Sequence, residues 1–147
     1  MSAARPAAPG GGGSERGWRL SVTVLPSRYA VCKLDPYAPS PEWGLRGPFG
    51  CVTRTESELC VICPERDVPQ TVERSSGWRA LRIAGKIDHA RDAGVLRSAV
   101  EPLARAGVPV LPMTASSSGF LFVREETLAR AIETLAQWGH SIREIST

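Results

Sequence analysis

Apolar positions in the second half of the chain switch between two periods. Residues 78–85, "WRALRIAG", alternate and predict a strand. Val95, Leu96, Ala99, Val100, Leu103 and Ala104 then recur at helical spacing, which predicts a helix over 93–107. "VPVLPMT" (108–114) and "FLFVRE" read as strands around the turn "ASSSG". Leu128, Ala131, Ile132 and Leu135 predict a second helix over 125–139, and "HSIREI" a closing strand. Residues 78–147 therefore spell β-α-β-β-α-β, the ferredoxin-like order of an α+β fold. Its second strand lies at a sheet edge, where Pro109 and Pro112 are tolerated.

Local signals set the helix ends. Asp92 is placed to cap the first helix and Gly107 to end it. Glu125 and Glu126 suit the N-terminal dipole of the second helix, and Gly139 stops it. Pro102 falls inside the first helix. In an exposed helix interior it would cost about 3 kcal/mol, so a bend is expected there.

The first half repeats this pattern in weaker form. "LSVTVLP" (20–26) and "YAVCKLD" (29–35) read as two strands, and "FGCVTRT" and "ELCVICPE" as a hairpin around Glu56–Ser57. No long helical period separates them. Residues 36–48 hold four prolines and predict a loop with at most one helical turn at Pro41–Leu45, and 66–77 a loop or short helix. The expected organisation is a degenerate unit over 18–77 followed by a complete one over 78–147. Residues 1–17, rich in Ala, Pro and Gly, are expected to be disordered.

Composition narrows the function. With 42% hydrophobic and 22% charged residues the chain is globular. No apolar run spans a bilayer and the N-terminus has no secretory apolar region, so the cytoplasm is the expected location. The net charge of +3 is scattered and aromatics make up only 6%, which argues against a nucleic-acid surface. Cys60 and Cys63 have the C-x-x-C spacing. On a strand, residues three apart face opposite sides, so buried structural cysteines are favoured over a metal or redox pair. No metal, cofactor or catalytic group is expected.

The stretch richest in chemistry is "GKIDHARDAGVL" (85–96), a strand-to-helix turn. It lacks the order of either glycine-rich phosphate loop, and Asp88 and Asp92 would repel a polyphosphate. A small zwitterion fits better. The free N–H groups opening the helix favour a carboxylate, Gly94 permits close approach, Asp88 can pair with an α-ammonium, and Thr114 can add a hydroxyl. Asp92 reads as an ordinary N-cap and Asp88 equally as a solvated turn residue. His89 beside Asp88 could act as an acid/base pair, but no nucleophile is placed near them. His140 follows a helix end, and both histidines read as exposed.

"GPF…VTRT…ELCVIC", then "GW", a strand–turn–helix with "GVL", and "PLARAG" together resemble the small bacterial proteins built from two ACT-like domains. These are related to the ACT modules of the eukaryotic arginine sensors called CASTOR and, more distantly, to the regulatory ACT domains of aspartate kinase. The resemblance covers about residues 18–140. It implies two ferredoxin-like ACT units in tandem, the first degenerate, and small-molecule sensing, usually of amino acids, with a homodimer or regulatory protein as partner. ACT domains use the first strand-to-helix turn and the facing second strand, which places the ligand at Asp88, Ala93, Gly94, Val95, Leu96 and Thr114. Family members carry a "STYDTDY"-like segment where this chain has "TASSSGF" (114–120), so Ser117 and Gly119 replace two acids. That departure raises the alternative of an interaction or dimerisation module that has lost its ligand.

Overall fold

The computed structural model describes residues 18–92 and 94–145; the disorder expected of 1–17 lies outside the described residues, as does Ala93. The elements are β1 (Ser21–Leu34), β2 (Cys51–Arg54), β3 (Leu59–Pro64), β4 (Arg74–Ile83), α1 (Val95–Arg105), β5 (Val110–Ala115), β6 (Ser118–Arg124), α2 (Leu128–Gln137) and β7 (Ser141–Glu144). Single 3-10 turns cover Glu42–Leu45, Glu65–Asp67 and Glu125–Thr127. The fold is α+β with ACT-like, ferredoxin-like architecture. No helix among the described residues is long and apolar enough to cross a membrane.

The chain divides into two compact units, one of residues 18–26 with 79–145 and one of residues 27–78. In the first, the strand order is β7-β1-β4-β6-β5. β5 is an edge strand, which suits Pro112 within it and Pro109 just before it. Its hairpin with β6 pairs Ala115 with Ser118, which leaves Ser116 and Ser117 at the tip. β7 does not pair with β4, as the closing strand of a simple β-α-β-β-α-β unit would. The first part of β1 takes that place, and β7 runs parallel to it from Ser21↔Ser141 to Val24↔Glu144.

The core of this unit lies between sheet and helices. It joins Val22 and Val24 of β1, Leu81 and Ile83 of β4, Leu121 and Val123 of β6, Val95, Ala99 and Leu103 of α1, and Ala131 and Leu135 of α2. The alternation along the strands and the helical spacing on α1 and α2 put these residues on facing sides. Gly107 and Gly139 end the helices with φ of 71° and 107°, conformations that glycine adopts without strain.

Residues 27–78 form a smaller unit. β3 pairs antiparallel with both the second part of β1 and β2. Ala30, Cys32, Val61, Cys63 and Val68 make its core, with Trp43, Val52 and Val72 packed against them. The helical turn expected at Pro41–Leu45 is present as Glu42–Leu45. Strands 20–26 and 29–35, read separately from sequence, are one strand. Pairing of β1 with β7 stops at Val24 and with β3 starts at Tyr29, so Pro26, which has no N–H to donate, falls between the two ladders.

His140 is a correction to the sequence reading. It is buried, not exposed. Its Nδ1 accepts the Leu20 N–H at 3.0 Å, and its Nε2 donates to the Ser98 carbonyl at 2.7 Å. An α-helical bond to Ser98 would come from residue 102, which is a proline without an N–H. His140 thus satisfies the carbonyl that Pro102 leaves free. Burial lowers the imidazole's pKa, against the smaller opposing effect of the Ser98 bond, and the neutral Nε2–H tautomer is the form that serves both partners.

Candidate functional site

β4 ends at Ile83, and the chain turns at Gly85, whose φ is 91°. Ile87 is buried, and its N–H donates to the Ser117 carbonyl at 3.0 Å. That bond ties the turn to the tip of the β5–β6 hairpin. The Asp88 carbonyl accepts the N–H groups of Arg91 and Asp92, at 3.0 and 2.7 Å. Asp88 Oδ1 accepts the Ala90 N–H at 3.1 Å, the side-chain turn that favours Asp at such corners. His89 Nε2 meets the Ser118 carbonyl at 3.1 Å. His89 and Asp88 thus serve separate partners and do not form an acid/base pair in this structure.

The turn and the hairpin tip border an open cavity of about 400 Å³ lined by Lys86, Ile87, Asp88, Arg91, Ser116 and Ser117. That is the lower range for a small-ligand site. Its charged groups are two cations and one carboxylate, and its neutral groups are hydroxyls and one apolar side chain.

Among the residues that the sequence reading assigned to a ligand, Asp88 lines this cavity. Thr114 is exposed and paired with Gly119 in the hairpin, two residues before the nearest lining residue, Ser116. Gly94 faces Trp18: a Cβ there would stand 3.2 Å from the indole Nε1. Val95 is fully buried in the core. Leu96 lines a different groove with Arg97, Val100, Glu101 and Pro112. Ala93 lies outside the described residues.

The cap of α1 also differs from expectation. Gly94 is the N-cap residue, with no side-chain cap bond. Asp92 is buried, and its Oδ2 accepts the Asp88 N–H at 3.0 Å, so its carboxylate closes the preceding turn. Ser98 lies beside this helix opening: its hydroxyl donates to the Gly94 carbonyl and accepts the Trp18 N–H. Trp18 thereby covers the start of α1, where the sequence reading placed a ligand carboxylate. Lys86, Ile87, Arg91, Ser116 and Ser117 are the lining residues that the sequence reading did not assign. The signal for the two cations was their place on either side of Asp88; Ser116, Ser117 and Ser118 were legible as hydroxyls that could be offered to a ligand, and the hairpin register puts the first two at the tip.

All four cysteines are free. Cys63 sits in the core of the smaller unit, where burial, with Cys32 and Asp67 nearby, pushes its thiol up to about 12. Burial also raises Cys32 and Cys60. Thiols held protonated in this way are poor nucleophiles and poor ligands.

Residues 73–137 match the ACT domain family, and residues 27–71 match a family of N-terminal domains. No curated protein matches the sequence. Solved structures do. A protein of Agobacterium tumefaciens is 26% identical over 88% of this chain and 96% of its own, with a TM-score of 0.82. A Vibrio cholerae protein, described as a possible transport protein, is 17% identical over 82% of this chain and 90% of its own, with a TM-score of 0.65. The ligand-free regulatory subunit of aspartate kinase from Thermus thermophilus is 12% identical over 78% of this chain and 93% of its own, with a TM-score of 0.56. The chain thus carries, over residues 73–137, a sequence match to the ACT domain set on an ACT-like fold.

Proposed function

We propose that this chain is a non-catalytic regulatory protein that binds an amino acid in the cavity between residues 86–91 and the Ser116–Ser117 tip. The cavity itself carries the proposal. It lies at the strand-to-helix turn of the ACT match and presents both signs of charge to one small volume, as a zwitterion requires. Asp88 takes the α-ammonium. The carboxylate partner shifts from the α1 opening, which Trp18 covers, to the cations of the turn. Kinship with the CASTOR-type sensors and work in the cytoplasm belong to the same reading. Occupancy signals if the ligand binds one arrangement of the protein better than another.

Thermal unfolding against each of the twenty amino acids tests this. A ligand that binds only the native state at a hundredfold excess over its dissociation constant adds about 2.7 kcal/mol, a shift of several degrees for a chain of this size. One amino acid is expected to give that shift, and Asp88→Ala to abolish it without loss of the fold.

A second reading, an interaction or dimerisation module without a ligand, has one observation in its favour. A Cβ at Gly119 would stand 3.1 Å from Ile83 Cδ1 and 3.2 Å from Ile87 Cδ1. The acid that relatives carry there could not enter without moving both isoleucines. No response to any amino acid at millimolar concentration would favour this reading, with the helix faces as the first surface to test, since Pro112 interrupts the donors along the edge of β5.

A further inference from the structure

We propose that the cavity selects an acidic amino acid, a ligand of net charge −1 with two carboxylates and one α-ammonium. This rests on the reading that the cavity is the ligand site. The lining holds Lys86 and Arg91 against Asp88 alone, two positive charges to one negative. The other acid of the turn, Asp92, is buried behind it with Oδ2 on the Asp88 N–H and does not line the cavity.

The two cations are uncommitted. Arg97 and Arg105 both pair with Glu101, and Arg124 pairs with Glu126. Arg54, Arg74, Arg79 and Arg130 donate to backbone carbonyls. Among the described residues, neither Lys86 nor Arg91 forms an ion pair or a side-chain hydrogen bond. Arg91 presents a planar fork suited to one carboxylate, and Lys86 a point charge suited to another.

Asp88 can meet an ammonium at the same time. Among the described residues only Oδ1 has a partner, the Ala90 N–H, and the side chain is exposed. The hydroxyls of Ser116 and Ser117 donate to whichever carboxylate lies nearer the tip. A neutral zwitterion would leave one cation without a partner. A basic amino acid would bring a third positive charge beside two.

The experiment is thermal unfolding and calorimetric titration of the full chain with L-aspartate, L-glutamate, their amides asparagine and glutamine, L-lysine, and succinate. An acidic amino acid is expected to bind at least tenfold more tightly than its amide. Arg91→Gln and Lys86→Gln should each weaken it tenfold or more; both sites are exposed, and circular dichroism checks the fold of each variant. Asp88→Asn should weaken the amino acid and leave succinate as tight or tighter, because a repelling charge is removed. An amide that binds as tightly as the acid, or a preference for lysine, overturns the charge assignment and leaves the cavity as the site. Acid binding untouched by both glutamine variants overturns the placement. Binding by none of the amino acids overturns this inference together with the proposed function.

Discussion

The unit of residues 18–26 and 79–145 buries one sheet face under two helices, whereas the unit of 27–78 covers its strands with 3-10 turns and loops. The difference follows from what lies between the strands. Two segments of helical period connect β4 to β5 and β6 to β7. Between β1 and β2 stand four prolines in thirteen residues, each without an N–H to donate, so only a single turn forms. Tight contact replaces area in the smaller unit. A Cβ at Gly44 would stand 2.6 Å from Val61 Cγ1, and one at Gly50 2.3 Å from the Gly44 carbonyl oxygen. The cavity belongs to the unit with the deep core, where a rigid sheet can hold a turn and a hairpin tip in fixed relation.

Core substitutions test this contrast most strongly. Leu103→Ala removes a fully buried side chain between helix and sheet and should cost about 2–5 kcal/mol in urea unfolding. Gly44→Ala, an overpacking change in the smaller unit, should cost about 1–3 kcal/mol. If Gly44→Ala costs more than Leu103→Ala, the shallow unit is the better packed and the comparison inverts.

A further test asks what holds the larger unit's α1 despite its proline. His140→Ala leaves the Leu20 N–H and the Ser98 carbonyl without their partner, about 1–3 kcal/mol for each buried group left unsatisfied. Pro102→Ala restores a helical N–H to Ser98, so the loss should be smaller in the double variant. Equal losses in both backgrounds would remove His140's role as the proline's compensator.

The same group makes stability depend on pH. Its folded pKa lies below its unfolded value, so the unfolded state binds more protons between the two. The stabilisation is full above about pH 6.5 and is lost as pH falls through the folded pKa. A denaturation series from pH 8 to 5 should show this decline in the parent and not in His140→Gln.

The smallest expected effect concerns the cysteines of the shallow unit. Cys32 and Cys63 are fully buried, and Cys63 stays protonated at pH 8. A thiol-alkylating reagent should modify half-buried Cys51 well before either, measured by peptide mass. Labelling of Cys63 in the native protein as fast as Cys51 would show that the smaller core opens readily.

Much of this protein was written in local pattern. The alternation of β4 and β6, the helical period of α1 and α2, the glycine stops at 107 and 139, and the edge character of β5 each depend on neighbouring residues, so the sequence alone determined them. The turn at 85–92 was also legible as the richest chemistry in the chain, with Asp88 in it. Tertiary structure decided the rest, because those features join residues far apart in sequence. β1 takes the place beside β4 where the closing strand was expected. Trp18 covers the opening of α1 from eighty residues away, and His140 answers a proline at 102. Lys86 and Arg91 line the cavity with Ser116 and Ser117 only because the Ile87 N–H meets the Ser117 carbonyl. Periodicity shows which face of an element is buried, but long-range hydrogen bonds and strand order decide what that face meets.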